Sequence, residues 1–463
     1  MFEANIYKGR RDQLKNLMSN GFAFFPGNNE SPMNYPANTY HYRQDSAFLY
    51  FFGLDQPGLA GLIDFESGED LIFGDDVTME DIVWMGNQPM IKERAAKVGI
   101  KKTYPFGRLD EFISKIKKQG KKIHYLPPYR GETVIQLSNL LDIPVNNIKK
   151  ESSIELIKSV VSLRSVKQNV EIAEIENMVN VAYEMHTAAM KMAHPGIYER
   201  EIAGKIEGIA LSSGGAVPFP VILSINGQIL HNHYHGNILQ KGRLMVVDAG
   251  AESPSGYASD ITRTSPVGGK FSQKQKQIYK VVLAANTESI NEVKPGIPFR
   301  NVHLKAAGII AEGLKDLGFM KGNTEKAVMA GAHALFFPHG LGHMLGLDVH
   351  DMEGLGEDFV GYDKTIKRSE QFGTAYLRLG KKLQPGYVLT IEPGIYFIPA
   401  LIDQWKGKKM FREFINYDKI EEYRDFGGIR IEDNILVTDK GHRVLGKPIP
   451  KNVEDIEDLM SKS

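Results

Sequence analysis

The sequence contains no cysteine in its 463 residues. This absence excludes disulfides, zinc–thiolate sites, iron–sulfur clusters and thiol nucleophiles. The 56 basic residues equal the 56 acidic residues, so the formal net charge of zero gives no general attraction to nucleic acid or to an anionic membrane. Long apolar runs are also lacking, because none approaches the roughly 20 residues that a membrane-spanning helix needs.

The first residues, MFEANIYKGRR, lack the apolar segment of a secretory signal peptide. Together with the missing cysteines, which suit a reducing compartment, this predicts a soluble cytoplasmic protein. The hydrophobic fraction of 42% and the charged fraction of 24% are those of an ordinary globular chain, long enough for two or three domains.

Several common catalytic signatures are missing as well. The sequence has no HExxH zinc motif, no GxSxG nucleophile elbow, no GxxxxGK[ST] phosphate loop and no GxGxxG dinucleotide loop. The glycines at 340–346 have the wrong spacing for a dinucleotide loop. These absences give no support to serine hydrolase, P-loop or dinucleotide chemistry.

Two patterns divide the chain near residue 158. From about Ser153, apolar residues recur at helical spacing as far as Ala193, which predicts a long helix at a domain junction. We expect an N-terminal α/β domain over residues 1–158 and a second domain over residues 159–463. The first of these alternates strand-like runs with helical stretches, namely Phe22–Phe25, Gly58–Phe65, Leu71–Phe73 and the helical Leu109–Lys118.

Three apolar strand candidates in the second domain each run directly into an acid. A buried acid needs a partner, usually a metal ion or a base, so these acids differ from those of surface turns. The strands and their acids are Leu244–Val247 with Asp248, Val388–Ile391 with Glu392, and Ile429–Ile431 with Glu432.

Asp248 is followed twelve positions later by a second aspartate, Asp260. The segment Ser253–Gly256 between them has the composition of a turn. A hairpin here would bring both carboxylates to the same ions. The alternative is that one aspartate caps a turn while the other lies on the surface.

A histidine cluster lies between the aspartates and the glutamates. His339, His343 and His350 fall within twelve residues and are separated by three glycines. Imidazole can bind a divalent ion or donate to a developing oxyanion, and glycine lets the backbone approach a ligand closely. Taken alone, His343 would fit a core histidine equally well. Arg430 and Glu432 alternate on one predicted strand, so their side chains should share a face.

Four carboxylates and one imidazole form an oxygen-rich set that suits hard or borderline ions such as Mn²⁺. Five such residues, some of them bridging, can hold two divalent ions about 3.5–4 Å apart. Such a pair would polarise a carbonyl and lower the pKa of a bridging water, which would supply hydroxide near neutral pH. The set comprises Asp248, Asp260, His343, Glu392 and Glu432.

The motifs VVDAG, SDITRT, PHGLGHMLGLDVHD, TIEPG and GIRIEDN occur in this order. Because it has these motifs in this order, the sequence resembles the proline-specific branch of the pita-bread metallopeptidases, the group of aminopeptidase P and prolidase. Residues 42–53 resemble the N-terminal domain of that branch. The resemblance implies an N-terminal α/β domain and a catalytic pita-bread domain. This second domain would have two αβ halves around a pseudo-twofold and a curved antiparallel sheet that holds the metals.

The resemblance also implies residue roles. It makes the five residues of the oxygen-rich set metal ligands, with Glu392 also the proton shuttle. His339 and His350 match outer histidines that steady the intermediate. His231 falls at the position of a histidine that contacts substrate, with its neighbours His233 and His235 as alternatives. Arg430 is a further candidate for substrate binding.

The segment between the histidine cluster and Glu392 is longer than in the simple bacterial aminopeptidase P pattern, and it contains Arg378. It resembles prolidase, in which an arginine at this place binds the free carboxylate of a dipeptide. The alternative is a solvated loop residue. We therefore predict an Xaa-Pro dipeptidase that acts on proline-containing dipeptides and forms a homodimer. The alternatives are an Xaa-Pro aminopeptidase acting on longer peptides and a catalytically inactive binding protein on the same fold.

Overall fold

The computed structural model describes residues 1–462, which form two compact units. The N-terminal unit comprises Met1–Arg164 together with Met352–Phe359, and the C-terminal unit comprises Ser165–Asp351 together with the chain from Val360 onward. The predicted boundary at residue 158 lies inside the helix Ile154–Ser165. The two units divide near the end of that helix, between Arg164 and Ser165.

The N-terminal unit mixes helices with short strands. In chain order its elements are α1 (Ala4–Leu17), β1 (Phe22–Pro26), β2 (Pro32–Tyr35), β3 (Asn38–Thr39), α2 (Ser46–Phe52), β4 (Ala60–Asp64), β5 (Asp70–Phe73), α3 (Met79–Met85), α4 (Ile91–Lys97), β6 (Lys102–Tyr104), α5 (Leu109–Lys118), β7 (Ile123–His124), α6 (Gly131–Leu141) and α7 (Ile154–Ser165), with 3₁₀ turns at Phe106–Arg108, Val145–Asn147 and Glu353–Leu355.

A five-stranded sheet in the order β6-β5-β4-β1-β7 forms the centre of this unit. The predicted hairpin is confirmed, because β4 and β5 pair antiparallel with Leu62 opposite Leu71. Helix α5 has the predicted bounds, and it buries Leu109, Ile113 and Ile116 at helical spacing against the sheet. The predicted α/β character of the first domain is therefore confirmed.

The C-terminal unit contains the remaining elements. They are α8 (Asn169–Met192), α9 (Glu199–Ser212), β8 (Ile222–Ser224), β9 (Leu244–Ala249), β10 (Ile261–Pro266), α10 (Gln273–Glu292), α11 (Phe299–Asp316), α12 (Thr324–Ala330), α13 (Glu357–Val360), which begins in the previous unit, β11 (Val388–Ile391), β12 (Gly394–Tyr396), α14 (Pro399–Gly407), α15 (Tyr417–Glu421), β13 (Gly428–Arg430), β14 (Asp433–Val437), β15 (His442–Val444) and α16 (Val453–Ser461), with 3₁₀ turns at Ala332–Leu335 and Thr374–Tyr376.

The helical pattern that the sequence shows up to Ala193 is two helices rather than one. Helix α7 ends at Ser165 and α8 begins at Asn169. In the connection, Lys167 donates its backbone N–H to the carbonyl of Gly386 at 2.8 Å, so the chain leaves its helical path to contact a distant segment. Within residues 1–462, no helix combines the length and apolar character that crossing a bilayer requires.

The predicted aspartate hairpin is confirmed. Strands β9 and β10 pair antiparallel with Thr262 opposite Asp248, and β8 pairs with the other edge of β9. Asp260 directly precedes β10, so both aspartates lie at the same end of the hairpin.

The two glutamates lie where a second antiparallel ladder is interrupted. The ladder between β11 and β14 ends at the pair Ile391 and Asp433. A separate ladder between β12 and β13 begins at Gly394 opposite Arg430. The prediction of one strand through Arg430 and residue 432 was therefore wrong, because Glu432 lies between two strands.

The interruption has a physical cause in the backbone bonds of the glutamates. Glu432 donates its N–H to the carbonyl of Thr262 in β10 at 3.0 Å. Glu392 donates its N–H to the carbonyl of Leu341 at 2.8 Å. Each glutamate is thus bound to a third segment rather than to the opposite strand, and the two ladders separate around them.

Two helix pairs, α8 with α9 and α10 with α11, repeat one arrangement along the unit. The connection within each pair contains the tripeptide Pro-Gly-Ile, at Pro195–Ile197 and at Pro295–Ile297. Gly196 donates its N–H to the carbonyl of Leu239 at 2.9 Å, and Gly296 donates to Leu383 at 2.8 Å. Both glycines have positive φ, of 96° and 83°, which favours glycine in each turn.

Candidate metal centre

The two aspartates are buried, with exposures of 8% for Asp248 and 5% for Asp260. Asn434 holds the backbone of Asp260 from both sides, because its Oδ1 accepts the N–H at 3.0 Å and its amide donates to the carbonyl. Oδ2 of Asp248 accepts from Nη2 of Arg430 at 2.7 Å.

His343 is fixed against β11 by its backbone. Thr390 donates its N–H to the carbonyl of His343 at 3.0 Å, and its hydroxyl accepts the N–H of His343 at 3.1 Å. A Cβ atom on Gly342 would lie 2.0 Å from the carbonyl oxygen of Thr390, so this approach requires glycine. Nδ1 of His343 lies 3.0 Å from the carbonyl of Met344, which can only accept. Nδ1 therefore carries the hydrogen, and a neutral ring presents the lone pair of Nε2.

That lone pair points at acids. Nε2 of His343 lies 3.4 Å from Oδ2 of Asp260 and 3.6 Å from Oε1 of Glu392. Ligand atoms of Asp260, His343 and Glu432 all lie within 4.8 Å of one another. Oε2 of Glu432 accepts from the hydroxyl of Thr262 at 2.7 Å. The structure thus groups Asp260, His343 and Glu432, with Glu392 beside His343, and the charge of Asp248 acts on both Asp260 and Glu432.

The acids perturb one another strongly. Burial, followed by the neighbouring Asp248, raises the pKa of Asp260 well above its usual value. Burial, followed by Asp260, does the same to the pKa of Glu432. Burial, opposed by His343, raises the pKa of Glu392 to about 7. Close buried carboxyls disfavour one another's charge, and a cation between them would remove that conflict.

The donor set fits a divalent ion. One oxygen on each of three buried carboxylates has no hydrogen-bond partner, and an uncompensated buried oxygen is costly. Hard divalent ions prefer carboxylate oxygens, and imidazole nitrogen is a common additional ligand. The three oxygens are Oδ1 of Asp248, Oδ1 of Asp260 and Oε1 of Glu432.

Arg430 is bound on three sides and is only 3% exposed. Its Nη2 donates to Asp248, its Nη1 donates to the hydroxyl of Tyr396 at 2.9 Å, and its Nε donates to the hydroxyl of Thr262 at 3.1 Å. These bonds hold Asp248 in place. The predicted contact of Arg430 with substrate stays a prediction.

His339 is a neutral ring with both nitrogens engaged. Nδ1 lies 2.8 Å from the carbonyl of Gly340, so it donates there, and Nε2 accepts from the hydroxyl of Tyr396 at 2.9 Å. Burial, followed by the charge of Arg430, lowers the pKa of His339 to about 3. The ring of His350 is half-buried, with its centroid 4.3 Å from that of His343.

Among the three histidines at 231–235, His231 is the one whose charge neighbours belong to the cluster. Desolvation by surrounding protein, followed by the charge of Arg430, lowers its pKa, with smaller effects of Arg378 and His350. His231 nonetheless keeps an exposed surface. His235 bonds through Nε2 to a backbone carbonyl at 3.0 Å. The charge of Arg430 thus acts on His231, whereas His235 is bound to the backbone of Val221.

The loop that carries His231 is closed by a buried carboxylate. Glu199, the first residue of α9, is 0% exposed. It accepts the N–H of Ile225 at 2.8 Å, and it accepts from the amide and the backbone N–H of Asn237 at 2.8 and 3.3 Å. Both ends of the segment 225–237 are thereby fixed to one side chain. Charge-assisted bonds of this kind are stronger than neutral ones.

Arg378 is half-buried and follows the 3₁₀ turn Thr374–Tyr376. The hydroxyl of Tyr362 donates to the carbonyl of Leu377, directly before the arginine, at 2.5 Å. The charge of Arg378 is one of the smaller effects that lower the pKa of His231.

Residues 173–439 match the profile of metallopeptidase family M24. The chain belongs to metallopeptidase family M24. Residues 7–124 match the profile of the aminopeptidase P N-terminal domain. Membership of family M24 implies divalent metal ions, and the buried group of Asp260, His343 and Glu432 is a possible place for one.

Other M24 proteins are similar over nearly the whole chain. The human Xaa-Pro dipeptidase is 32% identical over 91% of this chain and 84% of its own length. A probable Xaa-Pro aminopeptidase of Paracoccidioides brasiliensis is 31% identical over 91% of this chain and 88% of its own. The solved aminopeptidase PepP of Pseudomonas aeruginosa has a TM-score of 0.83 at 26% identity, with 100% and 98% coverage. Zinc-substituted Escherichia coli aminopeptidase P in complex with product has a TM-score of 0.82 at 27% identity, with 100% and 99% coverage.

Sequence reasoning missed the residues that hold the clustered side chains in place. Thr262 and Asn434 lie inside the motifs SDITRT and GIRIEDN, so the motifs contained them without indicating their partners. Tyr396, which links Arg430 to His339, lies four residues after Glu392 and was not singled out. Burial, opposed by Arg430, raises the pKa of Tyr396 to about 12, so its hydroxyl stays protonated.

Proposed function

We propose that this M24 chain is an Xaa-Pro dipeptidase that hydrolyses the bond on the amino side of proline. The observation that carries the proposal is the buried cluster of four carboxylates and one imidazole with oxygens that lack partners. The similarity to Xaa-Pro dipeptidases over most of the chain supports the substrate class. The proposed ligands of two divalent ions are Asp248, Asp260, His343, Glu392 and Glu432.

Two Mn²⁺ ions fit the donors best, because the oxygen-rich set favours manganese over softer metals. When bound, the ions would polarise the scissile carbonyl and lower the pKa of a water molecule.

Glu392 is the carboxylate that can exchange a proton with the substrate. Its side chain is 18% exposed, whereas those of Asp260 and Asp248 are 7% and 12% exposed. We therefore assign to Glu392 the transfer of a proton to the departing proline nitrogen. A general acid must reach the atom that it protonates, and this carboxylate is the most open of the three.

The outer histidines have separate roles in this proposal. His350 lies beside His343 and donates to the oxygen on which negative charge develops. His339 already uses both nitrogens on Gly340 and Tyr396, so it holds the Tyr396 hydroxyl in the orientation that accepts from Arg430. His231, on the loop closed by Glu199, contacts the substrate.

Arg378 supplies the preference for dipeptides. Proline is the last residue of an Xaa-Pro dipeptide, so its free carboxylate lies just beyond the scissile bond. The planar guanidinium can donate two charge-assisted bonds to that carboxylate. A longer peptide replaces the carboxylate with a neutral amide and loses this pairing.

The test compares Gly-Pro, Ala-Pro and Ala-Pro-Ala with added Mn²⁺. Lost charge-assisted bonds of roughly 1.5–3 kcal/mol predict a dipeptide preference of about 10–150-fold in kcat/KM. Arg378→Ala should remove that preference by damaging dipeptide cleavage far more than tripeptide cleavage. Arg412→Ala, at an exposed arginine of the same unit, is the matched control and should keep the preference.

An Xaa-Pro aminopeptidase is the second candidate. It is favoured by the similarity to solved aminopeptidases P over the whole chain. A native preference for Ala-Pro-Ala, or equal loss on both substrates in Arg378→Ala, would select this activity. Cleavage of neither substrate by the Mn²⁺-loaded protein would favour an inactive binding protein on this fold.

We further propose that the chain works as a homodimer in the cytoplasm, with residues 1–158 as the aminopeptidase P and prolidase type of N-terminal domain. The resemblance to the proline-specific branch supports the dimer and the domain. The absence of cysteine supports a reducing compartment. Sedimentation equilibrium on the Mn²⁺-loaded protein tests the dimer, and a monomer at micromolar concentration would contradict it.

A further inference from the structure

Asn286 on α10 connects the backbones of the two glutamates. It is 0% exposed, and its Nδ2 lies 3.1 Å from the carbonyl of Ile391 and 3.3 Å from that of Ile431. These residues immediately precede Glu392 and Glu432. An amide nitrogen carries two hydrogens, so this single side chain can donate to both carbonyls.

Asn286 makes this contact at the point where ladder hydrogen bonds of the sheet do not reach the two glutamates. The two ladders stop on either side of them, and the glutamate N–H groups bond to other segments. Inside the interruption, one backbone bond crosses from the N–H of Ile431 to the carbonyl of Pro393 at 3.3 Å. Asn286 adds a second connection between the two segments, one residue before each carboxylate.

Lys451 determines which way the amide of Asn286 points. Its Nζ lies 2.9 Å from Oδ1 of Asn286, and an ammonium group can only donate. Oδ1 must therefore face Lys451, which directs Nδ2 to the two carbonyls. The same Nζ contacts Oδ2 of Asp433, the residue after Glu432, at 2.7 Å.

Arg263 links the segment around Lys451 to Glu432 and Asp433. Arg263 donates to the carbonyl of Glu432 at 2.6 Å, and it pairs with Asp433 at 2.7 Å. It also donates to the carbonyls of Ile449 and Pro450 at 3.2 and 3.1 Å. The segment 449–451 thus has a fixed position relative to Glu432.

We propose that Asn286 is a positioning residue that sets the separation of Glu392 and Glu432, and that Lys451 orients its amide for this purpose. The inference rests on the proposed role of both glutamates as metal ligands. Groups that orient a ligand control metal affinity as well as activity, so metal binding itself reports on Asn286.

The first experiment measures Mn²⁺ binding to Asn286→Asp by calorimetry and by electron paramagnetic resonance. Aspartate has nearly the same shape, but it presents only acceptors to two carbonyl oxygens. We expect Mn²⁺ affinity to fall roughly 10–100-fold and the spectrum of bound manganese to change. The matched control is Asn291→Asp, at an exposed position of the same helix, which should bind as the native protein does. Native affinity and spectrum in Asn286→Asp would overturn the proposal.

A second variant keeps the question answerable if Asn286→Asp does not fold. Lys451→Met leaves the amide in place but removes its orienting donor, and we expect about a 10-fold loss of Mn²⁺ affinity relative to the exposed control Lys440→Met. Equal affinities of these two variants would overturn the role of Lys451. If Asn286→Asp folds, adding Lys451→Met to it should cause a smaller loss than Lys451→Met causes alone, because the part of its effect that acts through the amide is already lost.

These outcomes are separate from those of the proposed function. A native protein that binds Mn²⁺ but cleaves neither Ala-Pro nor Ala-Pro-Ala would refute the peptidase activity. The comparison of Asn286→Asp with Asn291→Asp would still decide whether Asn286 positions the two glutamates.

Discussion

The two helix pairs of the C-terminal unit make the same turn but hold the following loop by different means. The first residue of each second helix donates its backbone N–H at 3.0 Å, from Glu199 to the carbonyl of Asn237 and from Phe299 to that of Lys381. The backbone contact is repeated, while the side chain has changed from a carboxylate to a buried ring.

The first half of the unit contains α8 and α9, and the second half contains α10 and α11. The difference between Glu199 and Phe299 changes how the loop of each half is held. In the first half, the carboxylate of Glu199 binds both ends of the loop that carries His231. In the second half, the loop that carries Arg378 is held by backbone bonds, since Gly380 and Lys381 both donate to the carbonyl of Gly361 at 2.8 Å. The repeated scaffold thus holds both loops by backbone bonds, and in the first half it adds the buried carboxylate of Glu199 where the second half has the ring of Phe299.

The proposed metal centre takes two ligands from the first half and three from the second, and removing an acid from either half should give the largest effect. Asp260→Ala removes an acid of the first half, and Glu432→Ala removes one of the second. Each leaves buried partners uncompensated at a cost of roughly 3–5 kcal/mol, or about 10²–10⁴-fold in metal affinity. Elemental analysis and Ala-Pro hydrolysis should show loss of metal and of activity in both variants. Asp439→Ala, at an exposed acid, is the control, and full activity in an EDTA-treated, metal-free native sample would refute metal dependence.

His350→Ala tests a residue between the halves that we expect to act on the intermediate rather than on the metal. Loss of one donor to a developing oxyanion should lower kcat by about 10²–10³-fold. Metal content measured by elemental analysis should remain native. Loss of metal in this variant would show that His350 belongs to the ligand set.

Glu199→Gln tests directly whether the buried carboxylate holds the loop that carries His231. An amide in place of the carboxylate sets N–H groups against the N–H groups of Asn237, and unsatisfied buried donors cost about 1–3 kcal/mol. We expect kcat/KM for Ala-Pro to fall about 5–150-fold with native metal content. His231→Ala added to Glu199→Gln should cause little further loss.

The matched change in the second half is Phe299→Leu. It trims a buried ring and should lower Tm while it leaves kcat/KM nearly unchanged. Additive losses from Glu199→Gln and His231→Ala, or an equal loss of kcat/KM in Phe299→Leu, would show that Glu199 does not act through its loop.

The sequence predicted the acids of the site better than their supports. An apolar run followed by an acid is a local pattern, so Asp248, Glu392 and Glu432 can be recognised from the order of residues alone. The break in the strand at Glu432 could not be predicted, because it depends on a bond to Thr262 in another strand. The contacts of Asn286 could not be predicted from the sequence either, since its partners lie 105 and 145 residues further along the chain.

The smallest expected effect is on the pH dependence of the free energy of unfolding. It compares buried histidines of the first half with those of the second. Burial lowers the pKa of His186 to about 4 in the first half, and it lowers the pKa of His303 to about 3 and of His333 to about 4 in the second. Unfolded histidine takes up a proton below about pH 6.5, whereas these buried rings stay neutral. The unfolded state then binds more protons, so the free energy of unfolding falls as pH falls below about 6.5, by up to about 1.4 kcal/mol per unit for each ring.

Urea unfolding of His303→Leu between pH 7 and pH 5 tests this account. Both ring nitrogens of His303 lack a hydrogen-bond partner, so the change should cost little at pH 7 and should reduce the loss on acidification. His186→Leu should instead cost about 1–3 kcal/mol already at pH 7, because Nε2 of His186 bonds to the carbonyl of Ala249 at 3.0 Å. His194→Leu, at an exposed site, should keep the native pH dependence.

The bond between Lys451 and Asn286 has a consequence for biosynthesis. A ribosome-bound chain that has passed Glu432 already carries all five proposed ligands, yet it still lacks the lysine that orients Asn286. Asn286 therefore gains its orienting contact only after residue 451 has been synthesised and has packed against α10. The order of the residues along the chain thus makes this support of the two glutamates one of the last contacts that translation can supply.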